Sequence, residues 1–150
     1  MDLTFNCHGN LKQLECVKAW LDDSINDIVY GGSKGSGKSY LLVSLIFANA
    51  FIYPETNYFI ARKKLNDLRK HTTITVSDVF KAWGITKDYY SFNATDNFYT
   101  LYNGSKVFFI ELAYQPGDED FSRFGSLAMT QGAIEEAGEI TKAAYGAISA

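Results

Sequence analysis

A glycine-rich loop constrains this chain more than any other stretch. Residues Gly31 to Ser39 read Gly-Gly-Ser-Lys-Gly-Ser-Gly-Lys-Ser, and from Gly32 onward they fit the phosphate-loop pattern of Gly, four residues, Gly, Lys and Ser. A short apolar run at residues 28–30 precedes the loop, and a long apolar run begins at Tyr40. This context predicts a strand, the loop and a helix in that order. A glycine-rich loop that arose by chance is the alternative.

The loop has the donors that a nucleotide's phosphates need. Its glycines let successive backbone N–H groups point inward, and the following helix adds the positive end of its dipole. Lys38 is expected to reach the β and γ phosphates, and the Ser39 hydroxyl to bind Mg²⁺. We therefore predict ATP and Mg as cofactors. The predicted nucleotide-binding residues in this stretch are Gly32, Ser33, Lys34, Gly35, Ser36, Gly37, Lys38, Ser39 and Tyr40.

Composition indicates one globular domain over residues 1–150, with 47% hydrophobic and 21% charged residues. Fourteen basic and seventeen acidic residues give a net charge of −3, so no global basic field predicts nucleic-acid binding. Any DNA contact must be local. The main basic cluster, which is either a solvated face or a patch for the DNA backbone, contains Arg62, Lys63, Lys64, Arg69 and Lys70.

Nothing in the sequence predicts secretion or membrane insertion. The start lacks the basic and apolar regions of a signal peptide, and the apolar segment from Tyr40 to Tyr53 is too short to span a bilayer. Cys7 and Cys16 are expected to be unpaired thiols. With His8 they offer only three irregularly spaced ligands, which argues against a zinc site. We predict a cytoplasmic protein.

Periodicity predicts an α/β protein. Helical spacing runs from Leu11 to Leu21, from Leu41 to Ile52 and from Leu65 to Trp83, and a strand is predicted at residues 57–61. Asn103-Gly104 predicts a β-hairpin with a type I′ turn, extended structure is expected at residues 127–134, and Thr141 should cap a final helix. The fold class expected is that of a P-loop NTPase: a mainly parallel sheet flanked by helices, with an added β-hairpin.

Two adjacent acids complete the predicted site. Glu135 and Glu136 follow the last strand, where Glu135 would hold Mg through water and Glu136 would act as general base. A solvated acidic turn is the alternative. Gln13 is either an adenine contact or a solvated helix residue. For the cation that offsets charge on the γ-phosphoryl group, Arg123, Arg62 and Lys34 are candidates that the sequence does not rank.

Together these segments resemble the ATPase domain of bacteriophage terminase large subunits. The resemblance rests on Gln13, the loop at residues 31–39, and the segments at residues 60–63, 122–125 and 134–140. It implies that Gln13 lies on the adenine side, that Lys38 and Ser39 bind phosphate and Mg, that Glu136 is the catalytic carboxylate, and that Arg123 is a candidate finger. Glu135 departs from the family, which usually has Asp there.

The resemblance also implies a biological role. It implies ATP hydrolysis that powers translocation of double-stranded DNA into a phage capsid, by a ring oligomer that works with a portal protein and a small terminase subunit in the cytoplasm of the infected host. Residues 1–150 would be the N-terminal part of the ATPase domain, without the nuclease domain. A helicase-like or kinase-like ATPase, and a truncated nucleotide-binding module without turnover, are the alternatives.

Overall fold

The centre of the computed structural model, which describes residues 1–150, is a five-stranded sheet. Its strands are β1 (Asn57–Arg62), β2 (Tyr90–Asn93), β3 (Phe98–Leu101), β4 (Lys106–Glu111) and β5 (Gln131–Ile134), and they lie in the order β2-β3-β4-β1-β5. β1 lies between β4 and β5 and runs parallel to both, whereas β3 is antiparallel to β2 and β4. The predicted α/β class, with parallel strands, flanking helices and an added hairpin, is confirmed.

Helices lie on both faces of this sheet, and none is long and apolar enough to cross a membrane. The helices are α1 (Leu11–Trp20), α2 (Lys38–Ile52), α3 (Leu65–Asp67), α4 (Thr73–Ala82) and α5 (Lys142–Ser149). The predicted cap at Thr141 is confirmed, because its side chain accepts a hydrogen bond from the N–H of Ala144. Between α3 and α4, a π-helical turn at Leu68–Thr72 keeps the helical path continuous.

The main core lies between the sheet and helices α2 and α4. Phe47 of α2 packs edge-to-face against Phe80 of α4 and Tyr99 of β3, with ring centroids 5.0 and 5.3 Å apart. This burial raises the pKa of Tyr99. A smaller cluster on the opposite face packs α5 and the loop after β4 against Ala61. The apolar helix predicted after Ser39 is therefore buried as expected, and it ends at Ile52, before Pro54.

The strand predicted at residues 28–30 is wrong. The segment is irregular, and Val29 is 97% exposed. A strand persists only where a neighbour completes its hydrogen-bond ladder, and residues 28–30 pair with none of the five strands. The strand, helix, strand unit expected around the loop therefore begins with an unpaired segment.

The predicted hairpin forms, but its type I′ turn is wrong. A type I′ turn needs two residues with positive φ, whereas only Gly104 has one, at +85°. The Asn103 side chain is held by α2 instead, because its amide donates to the carbonyls of Ala50 and Phe51 at 2.8 and 3.1 Å. The hairpin turn thus caps the end of α2.

Two strands differ from the prediction. β2 was not predicted, although Tyr90 and Phe92 alternate with polar residues ahead of a turn built on Asn93. Of the extended stretch expected at residues 127–134, only Gln131–Ile134 is a strand. β5 is an edge strand, and these four residues are the ones that pair with β1.

We expect Gly132→Ala to destabilise the fold by about 1 to 3 kcal/mol through overpacking. Gly132 lies opposite Phe59 across the β1–β5 pair, and a Cβ at this position would lie 2.1 Å from the Phe59 ring. Thermal or urea unfolding measures the loss. Gly117→Ala is the matched control, since a Cβ there meets no atom within 4 Å. Equal stability of the two variants would contradict the prediction.

Candidate functional site

The glycine-rich loop curls directly into the N-terminus of α2. Gly35 and Gly37 have φ values of +82° and +75°, which glycine adopts without strain. Gly37 is the N-cap and supplies no side-chain cap, so the first backbone N–H groups of α2 are free for an anion. Residues 31–35 of the loop are exposed, and residues 36–38 are half-buried. This arrangement is a ready site for phosphate.

Lys38 folds back over this loop. Its Nζ donates to the backbone carbonyls of Gly32 and Ser33 at 2.7 and 2.8 Å, and lies 3.5 Å from Ser36 Oγ. The ammonium group therefore sits at the mouth of the loop. The Ser39 side chain, one residue on, is exposed at the same end of α2.

Gln13 lies behind the loop. The residue is only 9% exposed, and its Nε2 is 3.5 Å from the carbonyl oxygen of Gly37. A Cβ at Gly37 would come within 2.8 Å of the same nitrogen, and the positive φ of +75° there favours glycine in any case. Gln13 is thus not a solvated helix residue, which removes one of the two interpretations. Its contact with adenine stays a prediction.

A groove borders the loop between α1 and residues 28–31. It has a volume of about 290 Å³, and its lining from α1 includes Lys12, Glu15 and Cys16. Burial raises the pKa of the Cys16 thiol, which therefore favours the neutral form. The groove lies between α1 and the segment that leads into the phosphate loop.

The acid pair lies at the same end of the sheet as Lys38. Asn49, in α2, donates to the side chain of Gln131, the first residue of β5, at 2.9 Å. From this contact, Lys38 is about 16 Å back along the helix axis. α2 leads into β1 through the short connection at residues 53–56, so it runs back against the direction of β1 and of the parallel strand β5. Glu136 lies beyond the end of β5, about 16 Å from Gln131 in the same direction along an extended chain. Helix N-terminus and acid pair therefore share one edge of the fold.

The two acids are in different environments. Glu135 is 7% exposed: the Thr72 hydroxyl donates to its Oε2 at 2.6 Å, and its Oε1 is buried without a partner. Glu136 is exposed and has a φ of +50°, which is unusual for a residue with a side chain. A solvated acidic turn therefore describes Glu136 but not Glu135. Strained φ values of this kind are frequent at functional sites.

The three candidate cations differ in how many contacts already hold their side chains. Arg123 bonds Asp118 at 2.6 Å and the carbonyls of Glu111 and Ala113, and it stacks on Phe121 and Phe124. Hydrogen bonds from Ser122 and from Arg123 hold the pKa of Asp118 below its ordinary value. These contacts would have to break before Arg123 reached a phosphate. Its catalytic role stays a prediction.

Arg62 and Lys34 make fewer contacts than Arg123. Arg62 ends β1, beside the acid pair, with its Nε buried and without a hydrogen bond, 4.0 Å from a carboxylate oxygen of Glu139. Lys34 is exposed within the loop. Arg62 is thus the candidate already placed next to the predicted carboxylates.

The basic cluster is divided between a structural and a free part. Arg69 donates to the Asn97 side chain at 2.6 Å and to the carbonyl of Ala94, which ties the π-helical turn to the β2–β3 loop. Lys63, Lys64 and Lys70 are exposed. The free part could contact a DNA backbone.

The donor set suits Mg²⁺ bound together with a phosphate. No group of three or more His, Cys, Asp or Glu side chains gathers in the chain. Mg²⁺ is usually held by one or two carboxylates, waters and substrate phosphates rather than by a protein cage. Ser39 and the unpartnered buried Oε1 of Glu135 fit this mode.

Thr72 is the residue that the sequence interpretation missed. It lies in the buried stripe of an otherwise apolar helical face, between Leu68 and Val76. Its only sequence signal was a polar residue at a core position.

The chain is similar to large terminases in both sequence pattern and fold. The sequence model of the family described as "Phage terminase large subunit" matches residues 25–148. The structure resembles the large terminase from a thermophilic bacteriophage, with a TM-score of 0.67 and 16% identity over 92% of this chain. The same terminase in complex with ADP gives a TM-score of 0.68 at 17% identity, again over 92% of this chain. This chain spans about a third of that terminase, 34% in both comparisons. No curated protein matches it significantly.

Proposed function

This chain belongs to the phage terminase large subunit family, and from that premise we propose that it hydrolyses ATP with Mg²⁺ to drive double-stranded DNA into a phage capsid. The observation that carries the proposal is the shared edge of the fold, where Lys38 begins α2 and Glu135-Glu136 follow β5. A matched terminase binds ADP. That nucleotide supports a nucleotide site in this chain too.

In the proposed mechanism, the loop holds the phosphates of ATP through its backbone N–H groups. Lys38 exchanges its contacts with the Gly32 and Ser33 carbonyls for contacts with the β and γ phosphates. Ser39 and Glu135 would hold Mg²⁺, which would supply positive charge against the phosphate oxygens. Gln13, which lies behind the loop, would contact the adenine.

Glu136 is the proposed general base. It is exposed at the end of β5, so its carboxylate is free to orient and deprotonate a water that attacks the γ-phosphorus. A cation must offset the charge that develops on the γ-phosphoryl oxygens. Arg62, Lys34 and, after release from Asp118, Arg123 are the residues that could supply it.

The remaining assignments follow from family membership. We propose a ring of subunits that acts with a portal protein and a small terminase subunit in the cytoplasm of the infected host cell. Double-stranded DNA would contact the exposed part of the basic cluster, since lysines that neutralise phosphates bind DNA without reading its sequence.

A nucleotide-binding module without turnover is the second candidate. The unpaired segment at residues 28–30 favours it, because the approach to the loop is not anchored in the sheet. Titration with ADP, compared with an ATP turnover assay on the same full-length protein, separates the candidates. Binding with turnover that requires Mg²⁺ supports the motor, and binding without turnover supports the module.

The DNA part of the proposal has its own test. The double substitution Lys63→Gln and Lys64→Gln is expected to weaken binding to a double-stranded DNA fragment and to lower the salt dependence of log K by about 2, one per lost phosphate contact. Lys81→Gln with Lys87→Gln removes two exposed lysines elsewhere and is the control. Equal effects of both pairs would place the DNA away from residues 63–64.

A further inference from the structure

Thr72 and Glu135 form a buried polar pair at the predicted active edge. Thr72 is 1% exposed, and its hydroxyl donates to Glu135 Oε2 at 2.6 Å across 63 residues of sequence. A hydroxyl at a core position costs stability unless it is bonded, and this carboxylate is its partner. The bond holds one carboxylate oxygen at Thr72 and so directs the other oxygen away from it.

The π-helical turn places Thr72 at this position. The N–H of Thr73 donates to the carbonyl of Leu68, five residues back, and the wider turn keeps Leu68 and Thr72 both buried. π-Helical turns are rare in proteins, and those that occur often lie at functional sites. The exposed side of the same turn carries Arg69, Lys70 and His71.

The second carboxylate oxygen of Glu135, Oε1, indicates a role for the Thr72–Glu135 pair. Oε1 is buried and accepts no hydrogen bond, and Arg62 Nε, also buried, donates none and lies 4.0 Å from a Glu139 carboxylate oxygen. Arg62 and Glu135 follow the paired residues Ala61 and Ile134 on neighbouring parallel strands, so both project to the same face of the sheet. Two unsatisfied polar atoms of opposite charge are thus left at the edge where the phosphates of a nucleotide would lie.

We propose that Thr72 is a positioning residue that fixes Glu135 so that Oε1 faces the hydration shell of nucleotide-bound Mg²⁺. The inference rests on the proposed ATP site and adds a residue from the π-helical turn to it. Partners of metal-associated carboxylates typically contribute about 10- to 100-fold in metal affinity. The hydroxyl, not the methyl group, carries the effect.

The test compares Thr72→Val, which removes the hydroxyl at nearly constant shape, with Thr72→Ser, which keeps it. In the full-length protein, Thr72→Val is expected to raise the Mg²⁺ concentration for half-maximal ADP binding by about tenfold. ADP binding without Mg²⁺ should stay unchanged, and Thr72→Ser should titrate like the wild type. In a Glu135→Gln background, Thr72→Val should have no further effect on the Mg²⁺ titration.

Thermal unfolding without nucleotide shows whether each variant is folded. A Thr72→Val variant that is folded and titrates like the wild type overturns the proposal, and so does a Thr72→Ser variant that is impaired as strongly as Thr72→Val. ADP titration of the wild-type protein separates this failure from failure of the ATP site. If the wild type binds no ADP, the ATP site and the positioning role both fail; if it binds ADP, the Thr72 variants alone decide.

Discussion

Lys38→Ala is expected to lower ATP hydrolysis by the full-length protein at least about 100-fold, the loss typical of one positioned donor to a developing charge. The Lys38 ammonium is the charged group at the mouth of the loop, where its only partners are the loop's own carbonyls and Ser36. Alanine leaves the backbone N–H groups of the loop in place but removes the ammonium group that would contact the γ-phosphate. A steady-state phosphate-release assay measures the loss.

Lys81→Ala is the control for this substitution. Lys81 is exposed in the last turn of α4, on an element that takes no part in the loop, and its loss should change stability by no more than about 0.5 kcal/mol. Thermal unfolding should show both variants folded. Turnover by Lys38→Ala at the level of Lys81→Ala would remove the loop from the reaction and with it the proposed function.

Glu136→Gln is expected to slow turnover by about 10² to 10⁴ while ADP binding is retained. The amide keeps the size and the left-handed backbone position of residue 136 but does not accept a proton from water. Because Glu136 is exposed and lies outside the loop, the phosphates should bind as before. The signature is therefore a fall in turnover with an unchanged ADP titration.

Glu139→Gln is the matched control, three residues further along the same turn. Its side chain is 47% exposed, and a carboxylate oxygen lies 4.0 Å from Arg62 Nε, a surface contact that contributes little stability. We expect it to turn over at nearly the wild-type rate. If instead both variants are equally active, Glu136 is only a surface acid and the general base must be sought elsewhere.

Features that depend on neighbours in sequence were predictable. The glycine pattern, the apolar run of α2, the hairpin around Gly104 and the cap at Thr141 all reflect local backbone requirements or periodicity. The type of the hairpin turn was not predictable, because Asn103 donates to carbonyls at the end of α2, more than fifty residues earlier. This tertiary contact outweighs the local preference of Asn-Gly for a type I′ turn.

The sequence alone determined which residues form the loop and that two acids follow a strand, since spacing and residue type are sufficient for both. Only the tertiary structure decided that Glu135 is buried against Thr72 while Glu136 faces solvent, that Arg123 is engaged by its own loop, and that residues 28–30 pair with no strand. Each of these outcomes depends on partners distant in the chain, or on the absence of one. Packing brings such partners together, and no local pattern encodes them.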